Sequence, residues 1–143
     1  MLSKSSKYAI KAVIYLAVHS DAQRKILVRD MHEQVKVSES YLAKLLQDLS
    51  RHGIISSSKG RRGGFYLSEE NAQRTLMDIV KVIDGEEGIH ACVLGISSCN
   101  AENPCVIHHL VGPSKMAFNH TLETTTLRAL VEGIPGEYPI FPL

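Results

Sequence analysis

Cys92, Cys99 and Cys105, with His108 three residues further on, are the residues of this 143-residue chain whose types and spacing could do chemistry. Thiolate and imidazole are soft or borderline donors. Four of them complete a tetrahedral zinc or copper(I) ion, or the terminal ligation of an iron-sulfur cluster. Six residues separate the first two cysteines and five the next two, too long for a compact zinc knuckle with two-residue spacing. Such gaps suit a loop wrapped around something larger. These are all the cysteines of the chain; an odd, clustered set does not read as a secreted disulfide framework, and in a reducing compartment it reads as metal binding or redox sensing. His90 and His109 are close enough in sequence to compete with His108. The plain alternative is that the thiols are small buried hydrophobes and the histidine a surface residue.

The elements around this loop can be read from pattern. Asn103-Pro104 offers an N-cap followed by proline at the first helical position, predicting a helix that starts there. Cys105 and His108, at i and i+3, would share one face of its first turn, and the helix N-terminus would favour the Cys105 thiolate. Ile107, Leu110, Val111, Ala117, Phe118, Thr121 and Leu122 continue at helical spacing. An apolar stripe leaving a small domain needs a partner, and a second copy of the chain is the expected one; the alternative folds the helix back on its own domain. Gly112-Pro113 predicts a kink or a fresh start. A shorter helix around Leu127 to Val131 follows, and the chain from Gly133 onward is too proline-rich to be helical.

The front half has a different character. Tyr8, Ile10, Ala12, Val13, Tyr15, Leu16 and Ala17 give a helix with one broad apolar face, ending near His19-Ser20. A second helix is expected over Val28 to Val35, and Lys36-Val37 forms a turn before Ser38. Ser38 is a good N-cap and Glu39 complements the positive helix end, although Tyr41 stands where a capping box would need Glu. Leu42, Leu45, Leu46 and Leu49 then form a core stripe, with Ser40, Tyr41, Lys44 and Asp48 off it, and His52-Gly53 ends the helix. A capped helix that buries its leucines and turns Ser40, Tyr41 and Lys44 outward near its N-terminus is built like a recognition helix.

Two short β-rich segments follow, joined by Lys59-Gly60-Arg61-Arg62-Gly63-Gly64. Three cations among three glycines let backbone approach phosphates closely while Arg or Lys reaches into a minor groove. The order is that of a winged helix-turn-helix, so Ser38, Ser40, Tyr41, Lys44, Lys59, Gly60, Arg61 and Arg62 are the candidate DNA contacts. Residues 1 to 66 hold twelve Lys and Arg against five Asp and Glu, net +7, and the remainder carries −6. A polyanion-binding front with an acidic back fits that asymmetry, which the overall charge of +1 hides.

No stretch approaches the roughly 18 uninterrupted apolar residues of a membrane span, and no apolar signal region opens the chain, so a cytoplasmic protein is expected. An enzyme is disfavoured: a paired-histidine metal motif, a phosphate-binding loop, a nucleophile elbow and a two-residue-spaced dithiol are all missing.

Together these motifs resemble the Rrf-type transcription regulators, which include the iron-sulfur regulators IscR and NsrR. The likeness runs nearly end to end. It is carried by Lys7-Tyr8-Ala9-Ile10-Lys11-Ala12, Val37-Ser38-Glu39-Ser40-Tyr41-Leu42, Gly60-Arg61-Arg62-Gly63-Gly64-Phe65 and Thr126-Leu127. The resemblance implies a mainly α fold with a small β-wing. It also implies a homodimer with paired winged helices and a long C-terminal helix that crosses its partner. In domain terms, a winged helix-turn-helix spans 1–84, a cysteine-bearing cluster loop 85–104, and the dimerisation helix, final helix and tail 105–143.

By the same resemblance, Cys92, Cys99, Cys105 and His108 look like the three-cysteine, one-histidine ligands of IscR-like members, which carry a 2Fe-2S cluster. NsrR-like members carry a 4Fe-4S cluster, sense nitric oxide, and can draw a carboxylate from the first helix, where this chain has Lys7. Two features depart from the IscR pattern: the first cysteine gap is one residue longer, and Val93-Leu94-Gly95-Ile96 replaces a polar, glycine-rich stretch. The expected function is a cluster-dependent repressor or activator acting on a pseudo-palindromic double-stranded operator. The alternatives are a cluster-free regulator responding to thiol oxidation or a small molecule, and a 4Fe-4S nitric oxide sensor.

Overall fold

The computed structural model describes residues 2–132. The predicted proline-rich tail lies outside them. Helix α1 runs Lys4–His19, α2 Val28–Val35 and α3 Glu39–Arg51. Strands β1 Ser56–Ser58 and β2 Gly64–Tyr66 follow, then α4 Leu76–His90, α5 His108–Thr124 and α6 Leu127–Glu132.

Local chemistry sets the front of the molecule. Ser3 caps α1 by accepting from the Ser6 N–H, and Ser38 caps α3 by accepting from the Tyr41 N–H. Between α2 and α3 the chain reverses at Lys36, which takes the left-handed conformation at φ 60. The predicted leucine stripe of α3, Leu42, Leu45, Leu46 and Leu49, is buried in full, and Leu42, Leu46 and Leu49 join Val13 and Leu16 of α1 and Met31 and Val35 of α2 in the main core. Ile54 and Ile55, buried just before β1, carry that core to the base of the hairpin.

The two strands pair antiparallel, Ser56 opposite Tyr66 and Ser58 opposite Gly64. A third rung comes from the loop before α2, where Ile26 and Phe65 exchange both backbone hydrogen bonds at 2.8 Å. This crossing is close enough to require glycine, because a Cβ on Gly64, whose φ is 144, would stand 2.8 Å from the Ile26 carbonyl oxygen.

Helix α4 opens with a reciprocal capping box between Thr75 and Asp78 and joins the main core through Ile79. It is broken at Gly85, where φ 74 and ψ 170 interrupt the helix before a last turn to His90. Backbone bonds from the Leu76 N–H to Thr125 and from the Leu127 N–H to Arg74 pin the start of α4 to the start of α6. Leu127 of α6 thereby enters the main core.

A second, smaller core forms from Met77, Val80 and Ile89 of α4 and Leu122 of α5, with Leu2, Ile10 and Phe118 against it. The predicted α5 stripe is thus covered in part by its own domain, at Phe118 and Leu122, while Leu110 of that stripe and Met116 beside it are 76% and 74% exposed.

Two expectations for this region need correction. The helix begins at His108 rather than at Asn103-Pro104, because the Asn100 side chain accepts from the Glu102 and Asn103 N–H groups and folds that segment into a tight turn. Helix α5 also runs through Pro113 as one span, so of the kink or fresh start expected there the fresh start is ruled out.

Candidate functional site

The loop from Ala91 to Ile107 is held by its own polar atoms, not by a core. Backbone turns close from the Gly95 N–H to the Cys92 carbonyl, from the Cys99 N–H to the Ile96 carbonyl and from the His108 N–H to the Cys105 carbonyl. Those turns aim the thiols inward. The three sulfurs all lie within 4.8 Å of one another, with Cys92 and Cys105 3.7 Å apart. His108 reaches in from the first position of α5, its Nδ1 3.3 Å from the Cys99 sulfur. All four side chains are half-buried. They stand on the wall of a cavity of about 650 Å³ that α5 completes with Val111, Lys115, Met116, Asn119 and His120.

Electrostatics distinguish the thiols. The Cys92 thiol is lowered to about 7, chiefly by the Ile96 backbone N–H and then the Leu94 N–H and the other two thiols, against a smaller opposing effect of burial. The Cys99 sulfur accepts the Cys105 N–H at 3.3 Å, which favours its thiolate, but burial and the facing Cys105 and Cys92 sulfurs outweigh that bond and push its thiol up. Cys105 stands three residues ahead of α5 instead of in its first turn, so the expected sharing of a helix face with His108 is replaced by a turn that closes on the same loop.

This donor set fits a soft or borderline metal group: three sulfurs and one imidazole nitrogen converge, and at least one thiol gives up its proton near neutrality. His109 is exposed and meets His108 edge to face at 5.4 Å without joining the sulfurs. His90 lines the same cavity. A residue that spacing alone does not reveal is Lys115, whose ammonium donates to the carbonyl of Ala91, where α4 ends. One turn of α5 is thereby tied to the residue before Cys92.

Elsewhere in the molecule, the N-cap Ser38 and Ser40 and Lys44 of α3 are exposed, as are Lys59, Gly60, Arg61 and Arg62 of the hairpin tip. Tyr41 differs from its neighbours. It is half-buried, its hydroxyl bonded to Ser5 of α1 and its ring edge-on to Tyr8 at 6.3 Å. Its first contacts are therefore to α1. The hairpin is tied to the end of α3 by the Ser50 and Ser57 hydroxyls, 3.0 Å apart. Asn71, buried behind β1, accepts from Ser56 and Ser68 and donates to the Gly53 carbonyl, which fixes the hairpin base.

A capped, exposed recognition helix with a basic wing, joined through a thiol-rich loop to a partly uncovered helix, defines a winged-helix transcription regulator with a built-in donor set. The chain belongs to the Rrf2 family: the family model, described as an iron-dependent transcriptional regulator, matches residues 2–133. Among relatives, it is 32% identical to an HTH-type transcriptional regulator of Aquifex aeolicus, over 92% of this chain and 91% of that one. It is 26% identical to the HTH-type transcriptional regulator IscR of Escherichia coli O1:K1, over 91% and 79%. Its fold is similar to that of CymR, the global cysteine regulator of B. subtilis, with a TM-score of 0.71 at 23% identity, over 94% of this chain and 98% of that one. These relatives are named as regulators. Among the described residues no helix is long and apolar enough to cross a membrane.

Proposed function

We propose that this chain is a homodimeric regulator whose affinity for a pseudo-palindromic operator is set by an iron-sulfur cluster, 2Fe-2S, held by Cys92, Cys99, Cys105 and His108. The observation that carries the reading is the convergence of three sulfurs within 4.8 Å and of His108 Nδ1 on Cys99, from a loop with no apolar core to explain it. When bound, the cluster supplies one-electron redox chemistry and sensitivity to iron supply. The protein's own residues do the rest. The Ile96 and Leu94 N–H groups stabilise the Cys92 thiolate, the Cys105 N–H orients Cys99, and Lys115 fixes the start of the loop against α5.

Readout is assigned to the front half. Ser38, Ser40 and Lys44 of α3 would address a major groove, with Tyr41 bracing that helix on α1. Lys59, Gly60, Arg61 and Arg62 would follow backbone and minor groove. The uncovered Leu110 and Met116 of α5 support pairing with a second copy, which would present two such surfaces with two-fold symmetry. In domain terms this leaves the DNA-binding unit over 1–84, the sensor loop over 85–104 and the pairing helix and tail over 105–143, in a cytoplasmic protein.

The deciding experiment is anaerobic purification with visible absorption and iron, sulfide and zinc analysis. About two irons and two sulfides per chain support the reading. About four of each replace it with a 4Fe-4S nitric oxide sensor using another fourth ligand. Iron-free protein after attempted reconstitution overturns the cluster. The 3.7 Å Cys92–Cys105 pair then favours the second reading, a regulator that senses oxidants directly through its thiols.

A further inference from the structure

The N-terminal turn of α1 lies between the end of α4, from which the sensor loop departs, and the recognition helix, and is bonded to both. On the sensor side, Asp84, the last residue of α4 before the break at Gly85, accepts from Ser3 twice. One carboxylate oxygen takes the Ser3 backbone N–H at 3.3 Å and the other takes the Ser3 hydroxyl. Ser3 is also the N-cap of α1. Leu2, just before it, packs against the small core that contains Ile89, three residues ahead of Cys92. On the DNA side, two positions beyond Ser3, the Ser5 hydroxyl bonds the Tyr41 hydroxyl, and the Tyr8 ring meets the Tyr41 ring edge. Tyr41 in turn is the residue whose N–H is capped by Ser38 at the start of α3.

Nothing in the packing of the main core requires Asp84 to be there. It is half-buried at the mouth of a shallow pocket with Leu2, Ser3, Ser5 and Gly88. The geometry also reserves room for it, because a Cβ on Gly88 would stand 2.9 Å from the Asp84 Cβ. Directly after it, Gly85 holds a backbone conformation open essentially to glycine alone, at φ 74 and ψ 170, so the chain leaves the clamped end of α4 in a new direction toward the loop.

We propose that Asp84 is a positioning residue for DNA recognition. It clamps the N-cap of α1 to the end of the main span of α4, the point from which the sensor segment departs, so that a shift of that end driven by the loop is passed through Ser3 and Ser5 to Tyr41 and the first turn of α3. The inference deepens the proposed function and takes the cluster as the group that moves the loop. Coupling requires an element with two arrangements that both sites bias, and in this proposal it is the clamped junction of α4 with α1.

The test compares wild-type protein with Asp84→Ala, Asp84→Asn and Ser5→Ala, using a duplex selected from random DNA by the wild type. Each protein is measured cluster-loaded and cluster-free, with iron content and far-UV circular dichroism recorded. In the wild type, loaded and cluster-free affinities should differ by roughly 5- to 150-fold, the ordinary range of allosteric coupling. Asp84→Ala and Ser5→Ala should each bring that ratio to within about twofold of one with iron content unchanged, and a variant carrying both substitutions should lose no more than either alone. Asp84→Asn, which keeps one acceptor oxygen for Ser3, should restore part of the ratio.

An unchanged ratio in folded Asp84→Ala overturns the proposal. Equal weakening of both states does so too, since it marks a merely structural role. A second readout does not depend on any cluster. In cluster-free Asp84→Ala, hydrogen exchange at the Tyr41 and Leu42 amides should speed up relative to those of α2, and no change there overturns the clamp. Failure of the cluster reading would show instead in the wild type, as absent iron or a ratio of one.

Discussion

The Cys92 sulfur lies 3.7 Å from the Cys105 sulfur, yet the proton of Cys92 is held far more weakly than that of Cys99 beside them. Two backbone N–H groups, those of Ile96 and Leu94, stabilise the Cys92 thiolate, whereas the single Cys105 N–H that Cys99 accepts is outweighed by burial and by the Cys105 and Cys92 sulfurs. The thiolate is the nucleophile, and a thiol lowered to about 7 is charged above that pH and loses its charge below it. In cluster-free protein, iodoacetamide should therefore modify Cys92 first. Its rate should fall roughly tenfold per pH unit below the midpoint and level off above it. Peptide mapping across pH 5 to 9 checks this; Cys99 reacting first would show that the loop is arranged differently.

Cys99 accepts the Cys105 N–H and faces His108, so it sits at the meeting point of the donor set. Cys99→Ala should abolish cluster binding, read as loss of iron, sulfide and visible absorption. The fold should be spared, because no member of the main core comes from this loop. A change in unfolding free energy within about 1 kcal/mol is expected for a residue outside the core, with the dimer retained on sizing. Full iron content in the variant would remove Cys99 from the ligands.

Two adjacent histidines separate ligation from proximity. His108 is directed at Cys99, whereas His109 is exposed and touches the site only through the His108 ring. His108→Ala should shift the visible absorption and circular dichroism of the loaded protein or prevent loading, and His109→Ala should leave both spectra as in the wild type. The reverse pattern would exchange their roles.

How much of this was legible in the chain depends on whether local chemistry or a distant contact decides. The Ser38 cap, the α3 leucine stripe and the hairpin tip are set by neighbours in sequence, and the structure has them where the residue pattern puts them. The start of α5 was misleading because Asn103-Pro104 is a sound helix-start signal that competes with Asn100, which captures the Asn103 N–H first. Helix α4 carries its own signal in the Thr75 and Asp78 capping box, and its continuation past Gly85 depends on Ile89 finding the small core. The half-burial of Tyr41 rests on Ser5 and Tyr8, 36 and 33 positions earlier, and no local pattern announces it. The cysteine spacing indicated a wrapped loop. Which thiol is most acidic followed only from where the Ile96 N–H points.

Arg61 and Arg62 are exposed at the wing tip, and Lys44 is exposed on α3. Replacing either arginine with Ala should weaken binding to specific and random DNA alike and reduce the slope of log affinity against log salt by about 0.9 for each phosphate no longer neutralised. Lys44→Ala should instead narrow the gap between operator and random DNA, by roughly 1 to 3 kcal/mol if it reads a base edge. Salt titrations on both duplexes distinguish the two. An unchanged slope would take the wing out of the interface, and equal losses for Lys44→Ala would argue against base readout.

Gly64 tests whether the wing must be held rigidly to act. At φ 144 its backbone is strained for any residue with a side chain, and a Cβ would approach the Ile26 carbonyl oxygen to 2.8 Å. That carbonyl accepts the Phe65 N–H in the third rung of the small sheet, so the clash falls on the bond that anchors β2 to the body of the domain. Gly64→Ala should cost about 1 to 3 kcal/mol in urea unfolding, the range for a residue forced into such backbone geometry. It should also weaken DNA binding although Arg61 and Arg62 remain. Because the loop cysteines are untouched, iron content per folded chain should match the wild type. Wild-type affinity in a variant so destabilised would mean that the wing's charges act without the anchored geometry.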